Sequence, residues 1–395
     1  MFHAIFNPAY WAAVPFHFWS AVFFGLGCIV GSFLNVCIYR MPLGLSIVSP
    51  PSHCPHCKYS IPFYLNIPLV TWLMLRGRCK NCGAPISPRY FLVELLTGLT
   101  FLACWLAAGS QSPALALVYS LFLAGLIVAT FIDFEHLIIP DEITLGGIAV
   151  GFIISFFLPS LQRVQSNGQG LVQSGIGIAT GAGVIYAVVR GGKLLFGRQK
   201  VKLPADTKIV FSETTLCLPD EEIPYEEIFY RRSDRIVFHA KTLELVDRGY
   251  KNVDVKLSPP SMERAESSPE VRRSQGGLKI GEDTLNPEDV AYMEAVCSEI
   301  VLPREAMGFG DVKFMAAIGA FLGWKAVLFT FMVACLIGAV YGSAMVLMHK
   351  QKWSGRLYFG PFLAAAATIW IFAGPALVTW YLRVSQQLLN GLLGH

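Results

Sequence analysis

The sequence predicts an all-α polytopic membrane protein of about eight transmembrane helices, with a small cytoplasmic cysteine-rich loop and an inserted β-rich (α+β) soluble domain. The 395 residues are 54% hydrophobic and only 15% charged, whereas an average soluble domain is about 25% charged. The charge is also uneven, because residues 198–305 hold 21 of the 27 acidic residues and 16 of the 31 basic ones. A mildly acidic soluble domain therefore interrupts a basic, acid-poor membrane protein.

Apolar stretches of about 20 residues, the length that crosses a bilayer, identify the expected spans. Seven of them occupy residues 18–39, 90–108, 114–132, 143–158, 171–189, 326–348 and 359–382. A shorter stretch, 312–323, is typical of a broken or half-length helix. All are expected to be helices because backbone groups exposed to lipid must be hydrogen-bonded within their own segment.

Basic residues in short loops orient the chain, because loops rich in Lys and Arg stay in the cytoplasm. The loop after the first span contains six such residues, which places this loop inside and the N-terminus outside. Because successive loops lie on alternate sides of the membrane, residues 133–142 and the inserted domain are then also inside. This topology is self-consistent only with eight spans. No cleavable signal sequence is evident, because the first 17 residues contain no Lys or Arg.

These boundaries divide the chain into five regions. Residues 1–40 are expected to form an N-terminal transmembrane anchor, and residues 41–89 a cytoplasmic four-cysteine loop. Residues 90–197 hold helices two to five, 198–305 the inserted cytoplasmic domain, and 306–395 helices six to eight.

The cytoplasmic loop contains two C-x2-C pairs, Cys54 with Cys57 and Cys79 with Cys82, separated by 21 residues. Each pair can present two thiolates from one turn, and two pairs complete a tetrahedral site for a structural zinc ion. The alternatives are four free thiols or two disulfides, and disulfides are rare in the cytoplasm. The spacing therefore favours zinc, with the two histidines of the loop as bystanders.

Six acidic residues lie outside the insert: Glu94, Asp133, Glu135, Asp141, Glu142 and Asp311. Acids at a membrane edge are costly and are functional candidates by default. Asp133 ends one span, and Asp311 follows two glycines in Gly308-Phe-Gly-Asp311, 178 positions later. The topology brings both to the cytoplasmic membrane edge. Two converging carboxylates share one proton, so such a pair can activate water and protonate a leaving group, as in an aspartic protease.

The other acids have milder interpretations. Asp141 and Glu142 are interpreted as acids that stabilise a helix N-terminus, and Glu135 as a solvated loop residue. Glu94 lies near the start of its span and is either ion-paired to a basic neighbour or part of a second site. Lys313 either neutralises the aspartate pair or extends to the interface.

With these motifs in this order, the sequence resembles the prepilin peptidases, also called type IV prepilin leader peptidases, which are membrane aspartic proteases of the GxGD type. The resemblance covers roughly residues 18–197 and 304–365. Besides the paired cysteines, it is carried by Gly31-Ser-Phe-Leu-Asn35, Arg40-Met-Pro42, Asn66-Ile-Pro-Leu-Val70, Val93-Glu-Leu95, Ile132-Asp133, Pro140-Asp141, Gly308-Phe-Gly-Asp311-Val-Lys313 and Phe359-Gly-Pro361-Phe362. The departures are Tyr358, where relatives usually have proline, and the insert.

The resemblance implies that Asp133 and Asp311 are the catalytic pair of an endopeptidase. It implies substrates that are type IV prepilins or type II secretion pseudopilin precursors, cut after a glycine that ends a basic leader, at the cytoplasmic face of the bacterial inner membrane. It also implies methylation of the new N-terminus with S-adenosylmethionine, for which Glu94 is a candidate binding residue. The sequence contains no Gly-rich methyltransferase loop, and Gly181 and Gly183 are interpreted as helix-packing residues.

The insert contains an internal repeat, in which residues 208–218 align with 235–245 at six identities in eleven positions. The repeat predicts two related β-hairpin units, residues 253–257 predict a further strand, and a short helix is expected from Asn286 through Val296. Nothing in the insert has catalytic spacing. Its acids favour a solvated structural or regulatory domain over a docking module for the basic leader or for pilus or secretion assembly proteins.

Two other classes of function stay open. One is an ion-coupled transporter, in which Asp133, Asp311 and Glu94 bind protons or cations, although the acids lie at a membrane edge and no inverted repeat is visible. The other is an inactive assembly scaffold. Nucleic-acid binding is not predicted, because the basic residues border the spans, where orientation accounts for them.

Overall fold

The computed structural model describes residues 15–196, 198–212, 214–219, 221–229, 234–245, 248–258, 277–281, 283–285, 292–303, 308–348 and 358–393. It divides into two compact units, one made of Met1–Tyr186 with Phe309–His395 and the other of Ala187–Gly308. The first unit is helical, and the second is built on one β-sheet. This division agrees with the predicted helical membrane protein that carries a β-rich region.

Ten helical segments lie within the described residues. They are α1 (Phe16–Arg40), α2 (Val70–Met74), α3 (Pro88–Cys104), α4 (Pro113–His136), α5 (Asp141–Phe157), α6 (Asn167–Phe196), α7 (Tyr225–Ile228), α8 (Phe309–Leu347), α9 (Phe359–Phe372) and α10 (Gly374–Leu393). A π-helical turn, Trp105–Gly109, extends α3. Ser87 and Ser112 cap α3 and α4 with their side-chain oxygens, and a proline follows each of them, which is a strong helix-start signal.

Within the described residues, five helices are long and apolar enough to cross a membrane. They are Phe16–Arg40, Pro88–Gly109, Pro113–His136, Asn167–Leu194 and Phe309–Leu347. The pair α9 and α10 adds a sixth if it is taken as one bent span. Helix α5 has 17 residues, the lower limit of about 17 for a spanning helix. The expected eight crossings and their orientation stay predictions.

Helix α8 consists of two helical segments, because its backbone leaves helical geometry at Gly323, with φ 78° and ψ 173°. This conformation is essentially restricted to glycine. Side chains satisfy the carbonyl groups that the break exposes: Gln162 Nε2 donates to Ala320 O at 2.7 Å, and Ser174 Oγ donates to the same oxygen at 2.8 Å. The short apolar stretch 312–323 is therefore the first half of α8.

The stretch 359–382, predicted as one span, forms two helices. Helix α9 ends at Phe372, α10 begins at Gly374, and the two are bent by 80°. Pro375 accounts for the bend, because it has no N–H to donate to the preceding turn and its ring excludes a continued α9.

Helix packing in the first unit relies on close approach of backbones. A Cβ on Gly181 of α6 would lie 2.4 Å from the carbonyl oxygen of Met315 in α8. Gly181 therefore has the packing role that the sequence predicted, as small residues do in membrane helices. A Cβ on Gly183 would have no neighbour within 4 Å, so the packing interpretation is wrong for this residue.

The second unit is one eight-stranded antiparallel sheet. Its strands are β1 (Arg198–Phe211), β2 (Thr215–Leu218), β3 (Glu221–Pro224), β4 (Ile236–Leu245), β5 (Gly249–Leu257), β6 (Leu278–Ile280), β7 (Asp283–Leu285) and β8 (Met293–Pro303), in the spatial order β3-β2-β1-β8-β4-β5-β6-β7. The core of the unit includes Phe211 stacked on Phe238, with ring centroids 5.2 Å apart. Arg198 pairs with Pro303, so the chain enters and leaves the sheet on neighbouring strands.

The two copies of the repeat have different structures. Residues 208–218 form the predicted hairpin, with a turn in which Ser212 Oγ accepts the backbone N–H of Thr215 at 3.0 Å. Residues 236–245 of the second copy form the single strand β4, which pairs antiparallel with the next strand, β5, so this unit of the repeat also includes an antiparallel strand pair, with its second strand outside the copy. The corresponding residue there is His239, whose ring bonds Asp254 of the neighbouring strand instead.

The predicted helix from Asn286 through Val296 is wrong where the structure describes it. Met293 and Val296 belong to β8, which pairs with β1 on one side and β4 on the other. Met293, Ala295 and Cys297 are all buried, and this alternation is the pattern of a strand with one face in the core. Residues 286–291 lie outside the described residues.

Replacing Gly323 with alanine tests the break in α8. The Gly323→Ala Cβ would lie 2.8 Å from Gln162 Oε1 at a φ that alanine disfavours, so we expect a loss of about 1–3 kcal/mol of unfolding free energy. Equilibrium unfolding in detergent micelles measures this loss of unfolding free energy. Gly183→Ala, in open space within α6, is the matched control and should leave stability unchanged or raised. Equal stability of the two variants would contradict the role of Gly323.

Candidate active site and metal centre

The four cysteines of the first loop converge as the sequence predicted. Their sulfur atoms all lie within 4.8 Å of one another, with Cys54 Sγ 3.8 Å from Cys82 Sγ and Cys57 Sγ 4.0 Å from Cys79 Sγ. Four sulfurs bound to zinc at about 2.3 Å form a tetrahedron with edges of about 3.8 Å. The cluster therefore has the size and the donor set of a metal site.

Each cysteine pair lies in a turn of the same design. Lys58 N donates to Cys54 O, and Gly83 N donates to Cys79 O, both at 2.9 Å. The residue after each second cysteine is left-handed, with φ 58° at Lys58 and 71° at Gly83. The two turns hold the thiols of each pair together independently, so the loop needs only to bring the two turns face to face.

Local hydrogen bonds favour the thiolate form that binds metals at Cys57 and Cys79, whereas burial and the neighbouring thiols raise the pKa of Cys82 to about 11. The Asn81 side chain and the backbone N–H of Tyr59 lower the pKa of the Cys57 thiol to about 6. Backbone N–H groups of Cys82 and Asn81 lower the pKa of Cys79 as well. Of the two histidines, His53 places its Nδ1 3.0 Å from the Pro51 carbonyl oxygen, and neither belongs to the sulfur cluster.

Asp133 lies near the end of α4 and is only 6% exposed. Its Oδ2 accepts a hydrogen bond from the backbone N–H of Gly360 at 3.1 Å. Gly360 is in the first turn of α9, where backbone N–H groups lack partners in the helix and attract negative charge. A Cβ at this position would lie 2.6 Å from Asp133 Oδ2, so the contact requires glycine.

Asp311 lies in the first turn of α8 and is 9% exposed. Its neighbour Gly310 and the distant Gly360 approach the same side chain, Ile139 of the loop between α4 and α5. A Cβ on Gly310 would lie 3.6 Å from Ile139 Cβ, and a Cβ on Gly360 would lie 3.2 Å from Ile139 Cδ1. The end of α4 and the starts of α8 and α9 therefore meet around Ile139, and this brings the two candidate aspartates into one region.

The neighbouring charged residues pair with one another. Lys313 forms an ion pair with Asp141, which lies with Glu142 in the first turn of α5, as the sequence predicted. Arg89 pairs with Glu135. The prediction of a loop position for Glu135 is wrong, because α4 continues to His136.

Glu94 is 8% exposed, and its Oε2 accepts the backbone N–H of Leu69 at 2.7 Å. Leu69 has a positive φ of 61°, so the carboxylate holds a strained turn of the Asn66–Val70 motif. Among the described residues no Lys, Arg or His lies within 4.0 Å of the Glu94 carboxylate. The ion-pair interpretation is therefore wrong, and the second-site interpretation stays a prediction.

Asn35, in the Gly31–Asn35 motif of α1, contacts α3 at Tyr90, four residues before Glu94. Its Nδ2 donates to Gly31 O at 3.3 Å and to Tyr90 O at 3.1 Å, while its Oδ1 is buried without a partner in the described residues. A Cβ on Gly31 would lie 2.7 Å from Glu94 Cα, so α1 and α3 pack directly here. The sequence assigned no role to Asn35, to Gly360 or to Ile139, although the first two lie in motifs that carried the resemblance.

Comparison with known proteins agrees with this site. The model of the bacterial peptidase A24 N-terminal domain matches residues 26–108, and that of the type IV leader peptidase family matches residues 120–205 and 290–343. The first segment contains the four cysteines, and the second contains both aspartates. No solved structure matched the chain.

Curated relatives are named prepilin leader peptidase/N-methyltransferase. The protein of Aeromonas hydrophila is 26% identical over 394 residues, 93% of this chain and 95% of its own length. That of Dickeya chrysanthemi is 35% identical over 208 residues, which are 46% of this chain and 69% of its own length. That of Myxococcus xanthus is 51% identical over 140 residues, which are 34% of this chain and 40% of its own length. The chain belongs to the type IV leader peptidase family.

Proposed function

We propose that this protein is a membrane aspartic endopeptidase that removes the basic leader of prepilins or pseudopilins at the cytoplasmic face of the inner membrane. The observation that carries the proposal is that the end of α4, which holds Asp133, and the starts of α8 and α9 meet around Ile139, within the segments that match the family. The names of the relatives, which include both leader peptidase and N-methyltransferase, support the substrate class. Nothing favours the transporter alternative.

The two carboxylates suit peptide hydrolysis. One takes a proton from water, whose oxygen attacks the scissile carbonyl carbon, while the other donates a proton to the carbonyl oxygen. When the tetrahedral intermediate collapses, the C–N bond breaks and the leaving amine takes a proton from the pair. The backbone N–H of Gly360 orients Asp133 by donating a hydrogen bond to one of its oxygens. Gly310 has no side chain, so an extended peptide can approach the backbone beside Asp311.

Substituting either aspartate tests the catalytic pair. Asp133→Asn and Asp311→Asn are each expected to lower leader cleavage at least about a hundredfold, because each removes one proton-transfer group. Cleavage of a co-purified prepilin by the detergent-solubilised variant, followed by mass spectrometry, measures it. Glu142→Gln changes an exposed acid at the start of α5 and is the matched control. Wild-type cleavage by either Asn variant would reject the pair.

The four-cysteine cluster is proposed to bind one structural zinc ion through Cys54, Cys57, Cys79 and Cys82. The sulfur–sulfur distances fit tetrahedral coordination, and four protein ligands leave no open position for substrate. A bound ion would fix the loop between α1 and α3, which includes the turn at Leu69.

Removing one ligand tests the zinc site. The purified wild-type protein should contain about one zinc ion per chain, and Cys54→Ser should lose most of it, because a tetrahedral structural site needs all four ligands. Elemental analysis of metal content measures it. Cys217→Ser changes a half-buried cysteine of the insert and should keep the ion. A metal-free wild-type protein prepared without chelators would overturn this proposal.

We further propose that Glu94 takes part in methylation of the new N-terminus, with S-adenosylmethionine as donor. Glu94 is a buried carboxylate without a cationic partner in the described residues, and the orphan Oδ1 of Asn35 lies on the adjoining helix. Both are acceptors only in this arrangement, so together they suit an ammonium group. The amine to be methylated and the amino group of the donor both have this chemistry.

Glu94→Gln removes the negative charge but keeps the hydrogen bond to the backbone, because the glutamine side-chain oxygen can still accept the Leu69 N–H. We expect methylation to fall at least about tenfold, as on loss of a buried charge contact, while leader cleavage persists. The mature N-terminal mass of the product reports both activities in one spectrum. Glu135→Gln, which removes an exposed acid paired with Arg89, is the control. Full methylation by Glu94→Gln would contradict the assignment, whereas a wild-type protein that cleaves without methylating would reject the second activity itself.

A further inference from the structure

A cavity of about 440 Å³ opens at the end of the helical unit that is remote from Asp133. Residues around the start of α4, including the capping Ser112, line it. Asp133 lies 21 residues after Ser112, which is about 31 Å farther along the helix. The π-helical turn at the end of α3, the loop after α5 and the end of α9 complete its wall. The mechanism proposed above uses none of these residues.

The cavity wall has one charge and several hydroxyl or amide groups. Among the described residues, Arg163 is its only charged lining residue, and Gln111, Ser112, Tyr119 and Ser160 supply neutral polar groups. The described part of the lining includes no acidic side chain. The start of α4 adds the positive end of a 24-residue helix. The C-terminal ends of α3 and α9 also line the cavity and oppose this dipole, so the attraction of an anion depends on Arg163.

Arg163 is exposed and contacts one aromatic ring. Its guanidinium lies over the Trp370 ring, 5.5 Å from the ring centroid, and its backbone is left-handed, with φ 57°. Tyr119 is 8% exposed, and its hydroxyl has no hydrogen bond within the described part of the chain. An exposed cation and a mostly buried tyrosine thus line a space large enough for a small molecule.

The side chains that line the cavity indicate which ligand it can bind. One arginine matches one monoanion, such as a phosphodiester, and the hydroxyl and amide groups match a hydroxylated headgroup. A headgroup amine, as in phosphatidylethanolamine, would find no carboxylate. Leu115, Ile371 and Phe372 give the cavity an apolar side at the ends of membrane-crossing helices, which suits the start of an acyl chain.

We propose that this cavity binds the headgroup of an anionic, hydroxyl-bearing phospholipid of the phosphatidylglycerol class, with its phosphodiester on Arg163. The site is distinct from the aspartates and from the cysteine cluster. Its occupant would tie together the ends of α3, α4 and α9, which are separate in the sequence, at the membrane face remote from Asp133.

Lipid selectivity of the delipidated full-length protein tests the proposal. Both lipids carry the phosphodiester, but Arg163 repels the ammonium of phosphatidylethanolamine, so phosphatidylglycerol is expected to raise the thermal midpoint in detergent at about tenfold lower concentration. Arg163→Gln should abolish this preference. Lys325→Gln is the matched control, because Lys325 is exposed, contacts the Trp324 ring at 5.7 Å and does not line the cavity.

Three results would overturn the inference. They are equal effects of the two lipids on the wild-type protein, a preference that persists in Arg163→Gln, and equal stabilisation by soluble glycerol 3-phosphate, which would identify a water-soluble anion as the ligand. The wild-type comparison decides the matter even if Arg163→Gln does not fold. Because thermal stabilisation is the readout, the outcome is independent of leader cleavage and methylation.

Discussion

The hydrogen bond from Gly360 N to Asp133 is the contact on which the candidate active site depends. A carboxylate buried at a membrane edge is costly unless donors meet it. The first turn of α9 supplies such a donor without a side chain and adds the positive end of a helix. Because the contact requires the absence of a Cβ at position 360, the position of α9 and the position of the carboxylate are determined together.

The need of buried polar groups for hydrogen-bond partners also explains the break in α8. The segment from Phe309 to Gly323 has 15 residues and is about 22 Å long, shorter than the hydrocarbon core of about 30 Å. A helix that ends inside a protein core leaves carbonyl groups without partners, and here Gln162 and Ser174 satisfy that of Ala320. The first half of α8 can thus begin at Asp311 and stop early, while the second half takes its own direction.

Features that depend on local pattern were predictable from the sequence. The apolar stretches, the paired cysteines and the first-turn acids Asp141 and Glu142 all rest on spacing within a few residues. The partners of the acids were not predictable in this way, because Lys313 and Asp141 are 172 positions apart and meet only through tertiary packing. Glu135 illustrates the same limit, since a charged residue after an apolar stretch can belong to the last helical turn as well as to a loop.

The error in the insert has a different physical origin. Met293 and Val296 satisfy a helix-start pattern locally, but β8 is the central strand between β1 and β4, and pairing on both sides outweighs helix propensity. The two copies of the repeat share an apolar pattern but differ in their partners. The first copy pairs within itself across a turn in which Ser212 Oγ accepts the backbone N–H of Thr215, whereas the second pairs with the following strand, β5.

The pairing of Arg198 with Pro303 explains how a helical core tolerates so long an insertion between its two aspartates. Closing an unstructured segment of that length would cost about 2 kcal/mol more than closing one of about ten residues, since the entropy lost on joining two chain ends grows with the logarithm of the length between them. Here strands β1 and β8 are hydrogen-bonded neighbours, so folding of the insert itself brings its two ends together. The helical core then has to close only the few residues that join these strands to α6 and α8. The 178 positions between Asp133 and Asp311 therefore cost the site far less than their number suggests.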